Sequence, residues 1–280
     1  MKAIILMTLA VLAAHRLEAQ TKDSVDCASF TVVYDYAVKT TDAEAHAVTD
    51  AMQLAVQVGN DVTKSFSYND YLRQTEDKWD TSIAYGEAFI HQPTVWTDHK
   101  AGRVVTREVI FPDVFEGEAP VHAIDWTLQD DTLTIGRYLC HAAKGSFAGL
   151  EWRVWYTDEV PTTAGPWKLY GLPGLIIAAT DADSVHAFTF NGLMTAPTPI
   201  IYKPEPAAHK MDNRKLVRHR NTIFCNRQYA QNPTYYIPDL ASQIQNMGVF
   251  VFNVGSASRV MVNGCFLPDK SHVFKPLELE

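Results

Sequence analysis

The chain has 280 residues, of which 47% are hydrophobic, and a formal net charge of −8 at pH 7. An acidic chain lacks the basic footprint that binds a nucleic-acid backbone, so this balance argues against a nucleic-acid-binding protein. The length and hydrophobic content suffice for a sizeable core, so the chain does not need cross-links to fold.

The first nineteen residues have the layout of a secretory signal peptide. Lys2 supplies the positive end, residues 3–14 form an apolar run, and Ala19 is the small residue expected at the cleavage site. The run is shorter than the about 20 residues that a spanning helix needs. The first cysteine, Cys27, lies too far from the cleavage site for lipid attachment. The sequence therefore predicts a soluble exported protein, periplasmic or otherwise extracytoplasmic.

The mature chain opens with patterns typical of strands. Residues 30–38 alternate and are rich in β-branched and aromatic side chains, and residues 52–58 and 64–68 continue in the same way. Residues 69–80 are polar without strict alternation, which predicts a loop or a short helix.

A second group of strands follows, and we expect it to be antiparallel. Its members combine β-rich composition with turn-prone flanks and cover residues 103–111, 123–128, 133–142 and 151–157. The last of these strands carries aromatic side chains on both faces, so we expect it to be covered on both sides.

Residues 165–179 contain a turn signal of their own. In residues 172–175, Pro173 is at the second position and Gly174 at the third, which is the requirement of a type II turn. The short apolar run over residues 175–179 then predicts a buried strand, and residues 187–193 predict a strand that returns along it.

The composition changes after residue 196. Four prolines lie within ten residues, which excludes a helix or a central strand there. Cationic and apolar residues interleaved over residues 207–230 predict a basic helix, which is either a solvated face or a contact for an anionic lipid or acidic partner. Residues 248–254 and 259–262 predict a closing hairpin.

These elements define three parts: a signal peptide over residues 1–19, a β-rich domain over residues 20–196, and residues 197–280. The last part comprises the proline-rich connection, the basic helix and the C-terminal hairpin, which we expect to pack on the same domain. The predicted fold class is mainly β (β-rich α+β), with an antiparallel curved sheet or half-barrel to which the basic helix and hairpin are appended.

The chain has four cysteines: Cys27, Cys140, Cys225 and Cys265. In an oxidising compartment an even count favours disulfides, and four cysteines allow three connectivities between which the sequence does not choose. Their wide separation is unlike that of a zinc ribbon, so pairing is favoured over metal binding. Buried free thiols are the alternative.

Several short motifs carry a family resemblance. They are Trp155-Tyr156-Thr157, then Gly165-Pro166-Trp167-Lys168, then the hexapeptide GLPGLI over residues 171–176. Their order and spacing within residues 126–181 resemble the GLPGLI family, known mainly as exported proteins of Bacteroidetes without a settled activity. The resemblance implies a cell-envelope protein and implies no mechanism.

The hexapeptide region has two interpretations. It lines a binding groove, in which the aromatic rings supply flat walls and Lys168 supplies a polar handle for an anionic or acyl ligand. Alternatively it is a rigid β-corner, in which two turns are packed by aromatic rings, and the sequence favours this second interpretation. The candidate binding residues are Trp155, Trp167, Lys168, Tyr170, Leu172 and Pro173.

The remaining chemistry is sparse. Cys140 and His141 are neighbours on a predicted strand and therefore point to opposite faces, which excludes them as a nucleophile and its base. There is no HxH or HExxH motif, so we expect no metal and no cofactor. The sequence favours a non-enzymatic binding or assembly protein for an apolar or amphiphilic ligand or an outer-membrane partner. The alternative is a hydrolase of an unrecognised class, with acids or histidines assembled in three dimensions.

Overall fold

A computed structural model of the chain describes residues 23–42, 44–76, 92–110, 113–202, 208–225, 249–254, 257–262, 265–266 and 272–279. The predicted signal peptide lies outside these residues and stays a prediction, as does export. Within the described part of the chain, no helix has the length and apolarity needed to cross a membrane.

The described residues form seventeen strands and two helices. The strands are β1 (Ser24–Ala28), β2 (Phe30–Thr41), β3 (Ala47–Val58), β4 (Val62–Ser67), β5 (Thr94–Asp98), β6 (Arg103–Ile110), β7 (Asp113–Pro120), β8 (Thr127–Ile135), β9 (Tyr138–Phe147), β10 (Leu150–Thr157), β11 (Leu175–Asp181), β12 (His186–Met194), β13 (Thr198–Ile201), β14 (His209–Asp212), β15 (Val249–Val254), β16 (Ala257–Val262) and β17 (Cys265–Phe266). The helices are α1 (Tyr68–Glu76) and α2 (Asn213–Phe224).

Twelve strands form one sheet in the order β14-β7-β6-β5-β4-β3-β2-β12-β11-β10-β9-β8. Each neighbouring pair is antiparallel except β14 and β7, which are parallel. The sheet is open and does not close into a barrel. This confirms the predicted mainly-β class. Two small sheets accompany the large one: β1 pairs with β13, and β15, β16 and β17 form a three-stranded sheet that contains the predicted closing hairpin.

The main core lies between the aromatic strands of the large sheet and the irregular segment over residues 164–172. Tyr34 on β2 is fully buried, and its hydroxyl donates a hydrogen bond to the Ile176 carbonyl at 2.7 Å. Trp152 and Phe188 contribute further buried rings from β10 and β12. On β10, Trp152, Val154 and Tyr156 are buried, whereas Arg153 is exposed, so this strand is not covered on both sides along its full length.

Two of the predicted strands are wrong in their boundaries. Residues 133–142 do not form one strand, because Gly136 adopts a positive φ of 60° and begins a two-residue turn between the paired residues Ile135 and Tyr138. Such turns favour glycine because it has no Cβ to clash. Residues 123–126 lie outside any strand. The pattern of β-rich residues predicted the strands but not the hairpin between them.

Helix α2 occupies the central part of the predicted basic helix. It begins after Asp212, whose carboxylate caps the helix by accepting a hydrogen bond from the backbone N–H of Arg214 at 2.9 Å. Leu216, Val217 and Arg220 lie on its buried face. The helix packs mainly against β7 and thereby against the far end of the sheet.

The three cysteines whose side chains the structure describes are free. Cys27 and Cys225 are exposed, and Cys140 is fully buried in the core of β9. The structure therefore contains none of the predicted disulfides among these three residues, and Cys140 follows the alternative of a buried free thiol. The side chain of Cys265 lies outside the described part of the chain.

Candidate functional site

The GLPGLI hexapeptide forms a tightly bonded corner between β10 and β11. The backbone N–H of Gly171 donates to the Thr163 carbonyl at 2.8 Å, and that of Ile176 donates to the Ala164 carbonyl at 3.1 Å. The segment is therefore fixed to the chain that precedes it by its own backbone.

The predicted type II turn over residues 172–175 is wrong. The backbone N–H of Gly174 bonds to the Leu172 carbonyl at 2.8 Å, which closes a three-residue turn centred on Pro173. Gly174 has a φ of 157° rather than the about 80° of a type II turn. A Cβ at this position would lie 2.1 Å from the carbonyl oxygen of Thr157, so the close approach of β10 requires glycine here.

Two of the candidate binding residues belong to the core. Trp167 is 3% exposed and Leu172 is 1% exposed. The Trp167 ring packs edge-on against Phe147 with centroids 5.6 Å apart, and its backbone N–H donates to the Ser65 hydroxyl at 3.1 Å. These contacts give both residues a structural role in the corner.

Two other candidates lie nearer to solvent. Trp155 is half-buried on β10, where the Arg153 guanidinium lies 5.2 Å from its ring centroid. Pro173 is exposed. Neither residue lines the cleft described below.

Lys168 is buried and paired, which the sequence did not indicate. Its Nζ donates to both carboxylate oxygens of Glu278 at 2.8 Å. Arg220 of α2 lies 3.8 Å from Glu278 and also 3.8 Å from Glu108 of β6. We call Lys168, Glu278, Arg220 and Glu108 the buried charge cluster, and its four residues are between 3% and 5% exposed.

The cluster places two cations against two anions, and all four side chains are buried. Burial lowers the pKa of Lys168 below its ordinary value, and the neighbouring Glu278 carboxylate opposes that effect. Asn213 at the start of α2 donates its side-chain amide to Glu278 at 2.9 Å. Glu278 thus lies at the centre of the cluster, next to Lys168, Arg220 and Asn213.

Glu278 is carried by residues 272–279, which we call the strap. The strap runs across the sheet: the His272 ring bonds to Asp50 at 2.8 Å, and the Val273 backbone N–H donates to the Thr41 carbonyl at 2.8 Å. At its other end the Leu279 backbone N–H donates to the Ala148 carbonyl at 2.9 Å. The strap therefore links β2 and β3 to the turn between β9 and β10.

A cleft of about 580 Å³ lies beside the cluster. The turn between β9 and β10, the ends of β6 and β7 and the first residues of α2 form its walls. Its apolar surface includes Val104, Ala119, Phe147 and Ala148. Its polar surface includes His122, Lys168, Tyr170, Asn213, Arg214 and Glu278. Of the six predicted binding residues, the cleft brings together Lys168 and Tyr170.

Tyr170 joins the cleft to the corner. Its hydroxyl donates to the His122 carbonyl, and its own carbonyl accepts a hydrogen bond from the Trp126 indole at 2.9 Å. Tyr170 is therefore held at the cleft wall by hydrogen bonds from both its hydroxyl and its backbone. Partial burial raises the pKa of Tyr170, so its hydroxyl stays protonated at neutral pH.

Sequence reasoning missed Arg220 and Glu278. Arg220 follows Leu216 and Val217 at helical spacing, which places it on the apolar stripe of α2 and was a usable signal of burial. Glu278 has no such signal, because its partners are 58 and 110 residues away in the chain. Only the fold brings them together.

A buried histidine near the strap predicts a pH dependence of stability. His186 bonds through Nδ1 to the Tyr36 hydroxyl at 2.9 Å, and Asp181, Lys275 and the Pro276 backbone also face it. Burial lowers its pKa below the ordinary value of 6.5, against the opposing effect of Asp181. On acidification the unfolded chain therefore takes up this proton first, so stability is retained above about pH 6.5 and falls below it.

We expect the His186→Gln variant to lose less stability than the parent between about pH 7 and about pH 5. Glutamine keeps a hydrogen-bonding group beside Tyr36 but does not titrate. Urea unfolding at several pH values measures the difference. An unchanged slope of stability against pH would assign the dependence to other groups, among them His99, whose pKa burial also lowers.

The fold and corner define an open-sheet, mainly-β protein that carries an intact GLPGLI hexapeptide. Residues 148–178 match the family model described as "Protein of unknown function (Porph_ging)", the GLPGLI-type family of Bacteroidetes proteins. This match confirms the resemblance on which the hexapeptide was recognised, and it covers β10, the corner and part of β11. No curated protein matches the chain.

Two solved structures of PNGF-II, in space groups C2 and P21, are similar to the chain at 12% and 11% sequence identity, with TM-scores of 0.43 and 0.42. Each similarity covers 66% of this chain and 32% of the PNGF-II chain. The chain thus spans about a third of the length of those proteins, and similarity at this level carries no argument about function.

Proposed function

We propose that the protein is exported and acts outside the cytoplasm as a non-enzymatic binding protein whose cleft holds a small amphiphilic ligand. The observation that carries the proposal is the cleft of about 580 Å³, which has the size of a small-molecule site. The signal-like first nineteen residues and the resemblance to an exported family support the location.

The residues that line the cleft are of two chemical kinds. Val104, Phe147 and Ala148 present apolar surface. A hydrocarbon or aromatic group that covers this surface gains binding free energy from the hydrophobic effect. His122 and the exposed Arg214 present nitrogen donors at the same cleft. A ligand with an apolar body and an anionic or polar head contacts both kinds of residue: its body packs on the apolar side chains and its head accepts hydrogen bonds from the nitrogen donors.

Binding rather than catalysis is supported by the state of the polar side chains. Lys168 and Glu278 are occupied with one another. The Ser146 hydroxyl donates to the Glu151 carboxylate and not to an imidazole, so it lacks the base that activates a serine nucleophile. The part of the chain that the structure describes offers the hydrolase alternative no comparable observation.

Export also bears on the cysteines. Among the three cysteines whose side chains the structure describes, Cys27 and Cys225 are exposed and accessible for pairing in an oxidising compartment, whereas Cys140 is enclosed by the core. Mass spectrometry of the exported protein before and after alkylation counts the free thiols.

Filling the cleft tests the proposal. We expect Ala119→Trp to displace the ligand, because the indole enters the cleft from β7. Ala101→Trp is the matched control, since Ala101 is exposed in the turn between β5 and β6 and does not line the cleft. Native mass spectrometry of protein from the extracytoplasmic fraction of its own host should detect a bound small molecule on the parent and control, and not on Ala119→Trp.

Three results would count against the proposal. They are a ligand-free parent, a ligand retained by Ala119→Trp, and a dominant protein partner in place of a small molecule. The last would favour an assembly role at the outer membrane. N-terminal sequencing of the same material tests export, because the mature chain is expected to begin at Gln20.

A further inference from the structure

The carboxylate of Glu278 lies in a set of donors that matches a carboxylate. Lys168 Nζ contacts both oxygens at 2.8 Å, and Asn213 Nδ2 contacts Oε1 at 2.9 Å. The Arg220 guanidinium lies 3.8 Å from Oε2. Two cations and an amide thus surround one anionic group.

These donors belong to the fold, whereas the acceptor is brought to them by the strap. Lys168 lies in the corner, and Asn213 and Arg220 lie on α2. Within the described part of the chain, removing the Glu278 carboxylate leaves Glu108 as the carboxylate of the cluster for two buried cations, and an uncompensated buried charge is strongly unfavourable. An anion at this position therefore stabilises the buried donors Lys168, Asn213 and Arg220, whether it comes from the chain or from a ligand.

The position is in contact with the cleft. Lys168, Asn213 and Glu278 all form part of the cleft wall, beside the apolar surface of Phe147 and Ala148. The cleft and the anion position therefore share these wall residues. The strap closes the position through contacts at Ala148, His272 and Val273, without being a strand of the large sheet.

We infer that Lys168, Asn213 and Arg220 form a carboxylate-binding site at the cleft wall, which Glu278 fills in this structure and which takes the carboxylate of an aliphatic acid in exchange for Glu278. The inference rests on the proposed function and specifies its ligand class. Glu278 thus acts as an internal competitor, and release of the strap admits the ligand.

Chemical rescue of Glu278→Ala by acetate tests the site. The substitution removes the Cγ and the carboxylate group of the side chain, and acetate supplies the same non-hydrogen atoms as a free molecule. We expect acetate, at about ten times its dissociation constant, to raise the melting temperature of this variant by about 3–5 °C over chloride of equal ionic strength. Acetamide, which has the same shape without the charge, is expected to have no such effect.

Two variants serve as controls. Glu278→Gln retains the volume of the side chain and leaves no space for acetate, so its melting temperature should not respond. Glu118→Ala removes an exposed carboxylate, 61% accessible, and should not respond either. If Glu278→Ala is unfolded in chloride, refolding in acetate measured by circular dichroism replaces the melting temperature. Equal behaviour in acetate and chloride overturns the inference.

A second measurement separates this inference from the proposed function. We expect octanoate to bind Glu278→Ala at least about ten-fold more tightly than the parent in isothermal titration, because the internal competitor is absent. Rescue by acetate together with no octanoate binding to either protein would support the carboxylate site and contradict the amphiphile-binding function. Equal octanoate affinity for the two proteins would contradict exchange with Glu278.

Discussion

Replacing Gly174 with alanine is expected to lower the free energy of unfolding by about 3–4 kcal/mol, one of the largest effects in the molecule. The new Cβ would lie 2.1 Å from the Thr157 carbonyl oxygen and 2.9 Å from the Asp158 backbone nitrogen. Because both neighbours are backbone atoms at the end of β10, relief requires displacement of the strand and not of a flexible side chain. The φ of 157° adds strain for any residue with a Cβ.

Gly136→Ala is the matched control for this prediction. Gly136 also has a positive φ, of 60°, but a Cβ there meets no atom within 4 Å. The Gly136→Ala substitution should therefore lower the free energy of unfolding by about 1 kcal/mol, through backbone strain alone. Chemical denaturation of the two variants therefore separates the close contact from the strain. Equal losses of unfolding free energy in the two variants would contradict the prediction, because they would show that the corner between β10 and β11 accommodates the extra methyl group without further cost.

The second large effect is expected for Lys168→Met. Methionine approximates the length and apolar stem of lysine but leaves the buried Glu278 carboxylate without the ammonium that contacts both of its oxygens. Breaking a buried ion pair by removing one partner costs about 3–5 kcal/mol, since the other charge remains desolvated. We expect a loss in this range, measured by urea or thermal unfolding.

Lys100→Met provides the control for charge removal. Lys100 pairs with Asp61 at 3.3 Å, but its side chain is 77% exposed, so its loss should change stability by less than about 1 kcal/mol. The double variant Lys168→Met, Glu278→Gln should recover part of the loss of Lys168→Met, because it removes the stranded carboxylate. If the single and double variants lose the same stability, the ion pair is not the source of the effect.

Local pattern was sufficient for much of the fold. Alternation of side chains placed β2 and β10, and a short apolar run placed β11 with β12 returning along it, because each of these strands has at least one face against the core. It failed at residues 133–142, where one glycine reverses the chain inside a continuous β-rich stretch. It also did not predict the parallel pairing of β14 with β7, since strand order depends on contacts between distant parts of the chain.

The candidate site was predictable in composition more than in arrangement. The aromatic and glycine-rich character of the corner indicated a rigid turn, and the buried Trp167 and Leu172 agree with that interpretation. The binding-groove interpretation made Lys168 a polar handle for a ligand, whereas its ammonium contacts Glu278 in the structure. No local pattern contains this information, because a lysine beside a tryptophan has the same sequence whether its partner is a solute or a residue 110 positions later.

The separation of Lys168 and Glu278 along the chain also sets the order in which this part of the core becomes stable. During synthesis, Lys168 emerges 110 residues before the carboxylate that pairs with it. Until the ribosome has passed residue 278, the nascent polypeptide either keeps this ammonium hydrated or encloses it without the carboxylate that contacts it directly. Completion of native packing around Lys168 is thereby deferred until Glu278 has been synthesised.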